Sequence, residues 1–397
     1  MTTKPILIAG GGIGGLSAAL GLAGKGFDVV VFEKASKFGE IGAGIQLGPN
    51  AFHAFDYLGV GDWAREKAVY VDYLRLMDAV DGELILDIPL DAAFRERFGN
   101  PYAVVHRGDL HGVLLKGCEE SPHIKLQVSS EVVSYQQDGA GVRVQLANGK
   151  THDGVALIGA DGLRSHVRAQ LVGDGAPRVS GHSTFRAVIP TEKMPEDLRW
   201  NAAALWAGPK CHIVHYPLSG WKYFNLVVTT HDDAPEAVTG QPVARDEVRR
   251  HFTHISEKIR RVIETGDDWK LWVLCDRDPI DTWVEGHVAL LGDAAHPTLQ
   301  YYAQGACMAL EDSVCLSHLL DRHRDDLHAG LVAYQEARVV RTARVQLGSR
   351  AIGDHVNHPE GVHARVRNEI LRSYSVEDCY DRIDWLYGHH GLSGLEG

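Results

Sequence analysis

The chain has 397 residues, 45% of them hydrophobic, enough for about two domains around sizeable cores. Its formal net charge of −12 argues against a broad nucleic-acid footprint, and no apolar run reaches the ~18 residues of a membrane span. The six cysteines are scattered without C-x-x-C and the 22 histidines show no zinc spacing, so free thiols and no metal site are expected.

The N-terminus runs into a strand without a leader, and the cytoplasm is the expected compartment. Residues 5–9 form a short apolar run, read as a buried strand. Gly10, Gly12 and Gly15 follow as G-x-G-x-x-G, with Leu16, Ala19, Leu20 and Ala23 at helical spacing behind them. Such glycines permit a tight turn, a close backbone approach to a pyrophosphate and close helix–strand packing. The helix start adds free N–H groups and a positive dipole end. Residues 28–33 read as a second strand ending in Glu33, which lies 21 residues past Gly12, where a carboxylate accepts ribose hydroxyls. The glycines alone also suit an empty turn; strand, helix, strand and acid together favour a dinucleotide.

The stretch 38–50 is glycine-rich and apolar, either a loop lying flat against a planar ring or a plain connector. Extended pieces follow over 70–100. A strand from 102 ends at Arg107, whose fork suits a phosphate or ring oxygen, with Asp109 as a plausible N-cap of the next helix. Residues 124–160 alternate as strands, and 155–162 is a buried strand ending in Asp161-Gly162. A helix is read from 163, with Ser165 and Arg168 near one face.

From 180 to 285 strand-like runs dominate, at 183–189, 202–206, 212–216, 223–229 and 270–275, interrupted by one helix over about 244–264. A strand at 288–293 ends in Gly292-Asp293, and a helix covers 306–320. In the helix 329–353, Arg338, Arg341 and Arg344 recur every three residues and read as a solvated basic face. The aromatic tail 380–387 is expected to pack on the body or on a partner subunit.

The glycine turn with Glu33, the strand ending in Asp161-Gly162 and Gly292-Asp293 before a helix stand in one order over nearly the whole chain. This set resembles the class A flavoprotein aromatic hydroxylases, the family of para-hydroxybenzoate hydroxylase. The resemblance implies an α/β fold: a Rossmann-like FAD-binding domain with an inserted, mostly β substrate domain and C-terminal helices. It places the FAD domain at 1–70, 100–180 and 275–335, the substrate domain at 71–99 and 181–274, and a helical segment at 336–397. It further implies non-covalent FAD held by Gly10, Gly12, Gly14, Gly15, Glu33, Lys34, Gly44, Arg107, Val132, Asp161, Asp293, Gly305 and Ala306. Asp293 would bind the ribityl chain. Gly305 and Ala306 would bring N–H groups near the flavin pyrimidine, and Asp161 with Ser165 and Arg168 would serve both FAD and nicotinamide. NADH or NADPH would act as a transient electron donor without a domain of its own, and a homodimer is expected.

Within that family, His212-x-x-x-Tyr216 and Gln300 are similar to the members acting on 3-hydroxybenzoate. The implied reaction converts 3-hydroxybenzoate to 2,5-dihydroxybenzoate (gentisate) with O2. Salicylate and 6-hydroxynicotinate are the alternative substrates; a non-hydroxylating flavoprotein oxidase or reductase, or a flavin-binding scaffold, are the alternative classes. On spacing alone His212 is a packed strand histidine; the resemblance makes it a base. A phenol has a pKa near ~10 and an imidazole near ~6.5, so a positioned histidine assists deprotonation, and a phenolate pushes density to its para carbon. Gln300 would orient the phenol oxygen and Tyr216 would hydrogen-bond it. No cation for the substrate carboxylate is assigned.

Overall fold

The structure, a computed structural model, describes residues 4–39, 43–139 and 141–395, so residues 40–42 of the glycine-rich stretch lie outside the described residues. The first apolar run is the strand Ile6–Ala9, paired in parallel with Val29–Phe32 and Ala156–Gly159. Ile124–Gln127, Val288–Leu290 and the antiparallel Val284–Glu285 complete a six-stranded sheet. Parallel strands covered on both faces carry no polar alternation, so they appear in the sequence as unbroken apolar runs. Three of them deliver Gly10, Asp161 and Asp293 just past their carboxyl ends, the edge where open α/β sheets bind ligands.

Helix Ile13–Gly24 leaves the glycine turn and packs on helix Gly305–Arg322 through small residues. A Cβ on Gly21 would lie 2.8 Å from Ser317 Oγ, and Ser17 Oγ lies 2.8 Å from Ser313 Oγ. Both helices begin at one cavity.

A second sheet has eight strands. Arg178–Pro190, Tyr223–His231, Cys211–Leu218 and Ala202–Gly208 form its centre. Tyr73–Asp78 and Leu84–Pro89 extend one edge, Lys270–Asp276 and Thr239–Pro242 the other. Here the period of two decides function. Phe185, Ala187, Ile213, Phe224, Leu226 and Val228 pack beneath the helices Arg245–Arg250 and Glu257–Thr265. The residues between them, including Arg186, His212, Val214, Tyr216 and Val227, face the cavity.

The tail helix Val376–Tyr387 packs on the body. Tyr380 and Tyr387 meet Phe94 and Phe98 edge to face, and Tyr380 donates to Pro89 O at 2.7 Å.

Local readings need correction. The single helix over 244–264 is two helices, because Phe252 and Ile255 both turn into the core and Ser256 N is pinned to Ala79 O at 2.7 Å. The helix read from 163 starts at His166, with Ser165 as its N-cap. Asp109 is not an N-cap: the helix Arg107–Glu120 starts two residues earlier and keeps Asp109 in its first turn, beside the positive dipole end.

Candidate active site

A cavity of about 1050 Å³ lies between the two sheets, and the predicted site residues border it except Gly15, Ser165 and Arg168. Gly15 packs instead of lining: a Cβ there would lie 1.9 Å from Gly10 O. Gly10 has φ +103° and sits so close to the neighbouring strand end that a Cβ would lie 2.3 Å from Ala160 O. Gly12 then caps the helix Ile13–Gly24 with no side chain bonded to its first N–H groups, so donors and dipole meet the wall formed by Gly11, Gly12 and Gly14. Glu33 Oε2 accepts from Gly11 N at 2.9 Å and Oε1 from Ala35 N at 2.8 Å. Each oxygen keeps a lone pair, so this acid both shapes the loop and stays able to accept ribose hydroxyls. Bare amides, a strand-end acid and a floor without Cβ atoms fit a dinucleotide. Lys34, Arg107 and Val132 stand along the same wall.

At the opposite side Asp293, exposed, follows the strand Val288–Leu290, and Gly305 and Ala306 open a helix that has no side-chain cap. The loop is braced from behind. Asp312 accepts from Gly292 N at 3.1 Å and meets His296 Nε2 at 2.6 Å. Arg338 donates to Asp312 Oδ1 and Glu311 Oε2, both at 2.7 Å, and Arg341 donates to both Glu311 oxygens at 2.7 Å. Burial alone would raise the Glu311 carboxyl; Arg338 and Arg341 reverse that and hold it at about 2. Arg344 stacks on Trp385, 3.8 Å from the ring centroid. The expected solvated basic face of this helix fails at Arg338, which is 1% exposed, and at Arg341, and holds only for the exposed Arg344. Spacing alone could not reveal the carboxylates brought against it by a different helix.

Asp161 borders the cavity, but its carboxylate is engaged internally, accepting from Ser165 Oγ and from the N–H groups of His166 and Val167. Arg168 is fully buried, paired with Asp174 at 2.6 Å and donating to Ala294 O and Ala295 O. Neither Ser165 nor Arg168 lines the cavity: one caps a helix, and the other props the Asp293 loop.

The remaining wall of the cavity is the inner face of the eight-stranded sheet. His212 and Tyr216, four apart on one strand, share that face. His212 Nδ1 lies 2.7 Å from His358 Nε2, leaving Nε2 as the nitrogen available to a ligand. Burial, and then the nearby His182, push the His212 imidazole down to about 3, so it is neutral at pH 7. Tyr216 is 2% exposed and burial pushes its hydroxyl up; a Cβ on Gly44 would lie 2.6 Å from its ring, so this glycine lets the strand Gly44–Leu47 lie against it. Gln300 Oε1 accepts from Arg186 Nη2 at 2.6 Å, and Gln300 Nε2 donates to Thr229 Oγ1 at 3.2 Å. Nε2 also donates to Thr184 Oγ1 at 3.4 Å, so the amide nitrogen is turned to this threonine pair.

Two residues escaped the sequence reading. Arg186 had a signal: a lone charge between Phe185 and Ala187, which both point into the core, must face the other way. His358 had none, since it reaches His212 from 146 residues away after the π-turn Gly353–Asn357.

A family model described as an FAD binding domain matches residues 3–346. The chain is 52% identical, over 96% of its length and 97% of the relative's, to 3-hydroxybenzoate 6-hydroxylase 1 of Aquipseudomonas alcaligenes. It is 50% identical, over 97% and 96%, to the 3-hydroxybenzoate 6-hydroxylase of Polaromonas naphthalenivorans. Among solved structures, Klebsiella pneumoniae HpxO complexed with FAD and uric acid superposes with a TM-score of 0.84 at 27% identity, covering 99% of this chain and 98% of that one.

Proposed function

The chain belongs to the FAD binding domain family and is an FAD-dependent monooxygenase, and from that premise we propose that it converts 3-hydroxybenzoate to 2,5-dihydroxybenzoate. The observation that carries this reading is His212, a neutral imidazole on an otherwise mostly apolar wall, with His358 behind it and Gln300 and Tyr216 beside the same cavity. Gly10, Gly12, Gly14, Glu33, Lys34, Arg107 and Val132 would hold the ADP half of FAD; Gly44, Asp161, Asp293, Gly305 and Ala306 would border the rest. When bound and reduced by NADH or NADPH, FAD supplies an electrophilic oxygen atom derived from O2.

The protein's own residues prepare the ring for that oxygen. For His212 to accept the phenol proton at Nε2, its Nδ1 must carry a hydrogen and donate it to His358 Nε2. An imidazole depressed to about 3 is a weak base alone, so the second imidazole matters: as His212 takes the phenol proton at Nε2, its Nδ1 hydrogen can pass to His358 Nε2 across the 2.7 Å contact, spreading the positive charge over both rings. The hydroxyl of Tyr216 hydrogen-bonds the phenolate as charge develops, beside the Gln300 amide that Arg186, Thr184 and Thr229 hold in place. Attack through the carbon para to that oxygen gives the 2,5 product. Apolar residues such as Val214, Leu205 and Val227 exclude water around the reacting ring.

Product analysis tests the reading. With NADH or NADPH, O2 and 3-hydroxybenzoate, the FAD-loaded enzyme should form 2,5-dihydroxybenzoate in step with cofactor oxidation; salicylate or 6-hydroxynicotinate as the coupled substrate would replace the assignment. His212→Ala should keep FAD and its reduction but lose ~10²–10⁴-fold in product formation, releasing hydrogen peroxide instead. Wild-type coupling in that variant would remove His212 from the mechanism.

The reading extends to a cytoplasmic homodimer. No helix of the described residues is long and apolar enough to cross a membrane. Val362, Val366 and Ile370, each 48–57% exposed, make an apolar stripe at i, i+4 and i+8 on the helix Gly361–Arg372, a face suited to a second copy. Light scattering at the monomer mass would discard the dimer.

A further inference from the structure

We propose that Arg186 is the receptor for the substrate carboxylate, an assignment that rests on the hydroxybenzoate reading above. Arg186 lies mid-strand in Arg178–Pro190, on the face that borders the cavity. It is deep in the protein, and the surface it still exposes belongs to the cavity wall.

Its surroundings lack a counter-charge. Among the described residues no carboxylate lies within ion-pair distance of its guanidinium; the ionisable groups that act on it are Tyr216 and Arg107, and burial disfavours its charge. Nη2 donates to Gln300 Oε1 at 2.6 Å, while the buried Nε has no hydrogen-bond acceptor. The guanidinium carbon lies 5.5 Å from the centroid of the Trp272 ring, which steadies it without neutralising it. An arginine does not shed its proton to escape such a site. A half-buried cation withdrawn from bulk water without a counter-charge is unfavourable, so its neighbourhood calls for an anion supplied through the cavity.

The other arginine that the eight-stranded sheet offers to the cavity is already satisfied: Arg75 holds Asp87 through two hydrogen bonds of 2.8 and 2.7 Å. Arg186 is the one whose fork is open to a carboxylate, and planar guanidinium matches planar carboxylate. The arrangement also sets polarity across the ring. Arg186 takes the carboxylate, and Gln300, tied to Arg186 by its carbonyl, reaches through its amide nitrogen to Thr229, the cross-strand partner of His212, which stands on the phenol side.

A charge-deleting pair of ligands tests this. The FAD-loaded wild type, Arg186→Gln and Arg186→Lys are titrated with 3-hydroxybenzoate and with its neutral isostere 3-hydroxybenzamide, following the perturbation of the flavin absorption spectrum. Wild type should bind the acid far more tightly than the amide. Arg186→Gln should weaken the acid by roughly 10²-fold, the usual loss when one member of a buried charge pair is removed, and leave the amide within about threefold. KM for the acid should rise more than kcat falls. Arg186→Lys, which keeps the charge but not the fork, should recover part of the acid binding. If Arg186→Gln does not hold FAD, the acid-to-amide ratio in Arg186→Lys decides, with a fall of at least about tenfold expected. Equal losses for acid and amide, or no loss for either, would overturn the assignment. Should wild type ignore 3-hydroxybenzoate but bind another aromatic acid, the proposed substrate falls, and the same comparison with that acid and its amide still decides Arg186.

Discussion

Arg338, fully buried, and Arg186, half-buried against the cavity, have opposite surroundings in the same molecule. Arg338, behind the Asp293 loop, has two carboxylates at 2.7 Å, and its helix neighbour Arg341 shares one of them. Arg186, on the substrate wall, has an amide oxygen, an aromatic face and no carboxylate among the described residues. The first cation holds structure together: it joins the helix Leu327–Ile352 to the helix Gly305–Arg322 and, through Asp312, to Gly292 and His296. The second holds nothing comparable. Charge compensation within the chain marks a frame; its absence beside a cavity marks a place where a ligand completes the balance.

The largest break in this comparison is expected at the frame. Arg338→Met leaves Glu311 and Asp312 buried with less compensation and should cost ~3–5 kcal/mol of stability in denaturant unfolding. FAD retention should fall with it, because the Asp293 loop loses its brace. A midpoint equal to wild type would show that the pairing contributes little.

Acid should separate the two regions in order. His182 is pushed down to about 4, His212 and His215 to about 3, and His358 lower still, in each case by burial first. Their unfolded forms take protons at ordinary histidine values while the folded forms do not. The stability they contribute is therefore fully present above about pH 6.5 and is lost as pH falls toward 3, at up to ~1.4 kcal/mol per pH unit for each histidine. Glu311 has the depressed carboxylate pattern, so its contribution is present above its ordinary value and is lost only as pH falls toward about 2. Melting temperatures between pH 7 and 5 should drop through the histidines before the frame is touched; a flat profile there would contradict their buried, neutral state.

The smallest effect is expected from Arg186→Met in the absence of substrate. No carboxylate is left behind, so unfolding should be unchanged or shifted upward by at most ~1 kcal/mol. A loss as large as that of Arg338→Met would make Arg186 a second structural arginine.

Much of the cofactor side was legible because its determinants are local. Gly10, Gly12 and Gly15 answer to a turn, a helix start and a close approach within one βαβ unit, and Glu33 follows at the end of the next strand. The strands of the substrate sheet were legible for the same reason, as alternating runs, and His212 and Tyr216 share a face by spacing alone. The helix break near residue 251 was not legible, because burial of Phe252 and Ile255 beneath the sheet overrides helical spacing. Nor was the role of Arg338, whose spacing is that of a solvated face until Glu311 and Asp312 are packed against it.

By itself, then, the sequence determined the βαβ glycine turn, the strand-end acids, the alternation of the inserted sheet and the family to which these belong. Those features depend on neighbours a few residues apart. Tertiary structure alone decided which charges are compensated, which histidine backs His212 and which cation faces the cavity without a counter-charge. His358 and His212 are 146 residues apart, Arg186 and Gln300 are 114 apart, and Arg338 meets acids 26 and 27 residues away on a different helix. Electrostatic balance is summed over space, not along the chain, so it exists only once the chain has folded.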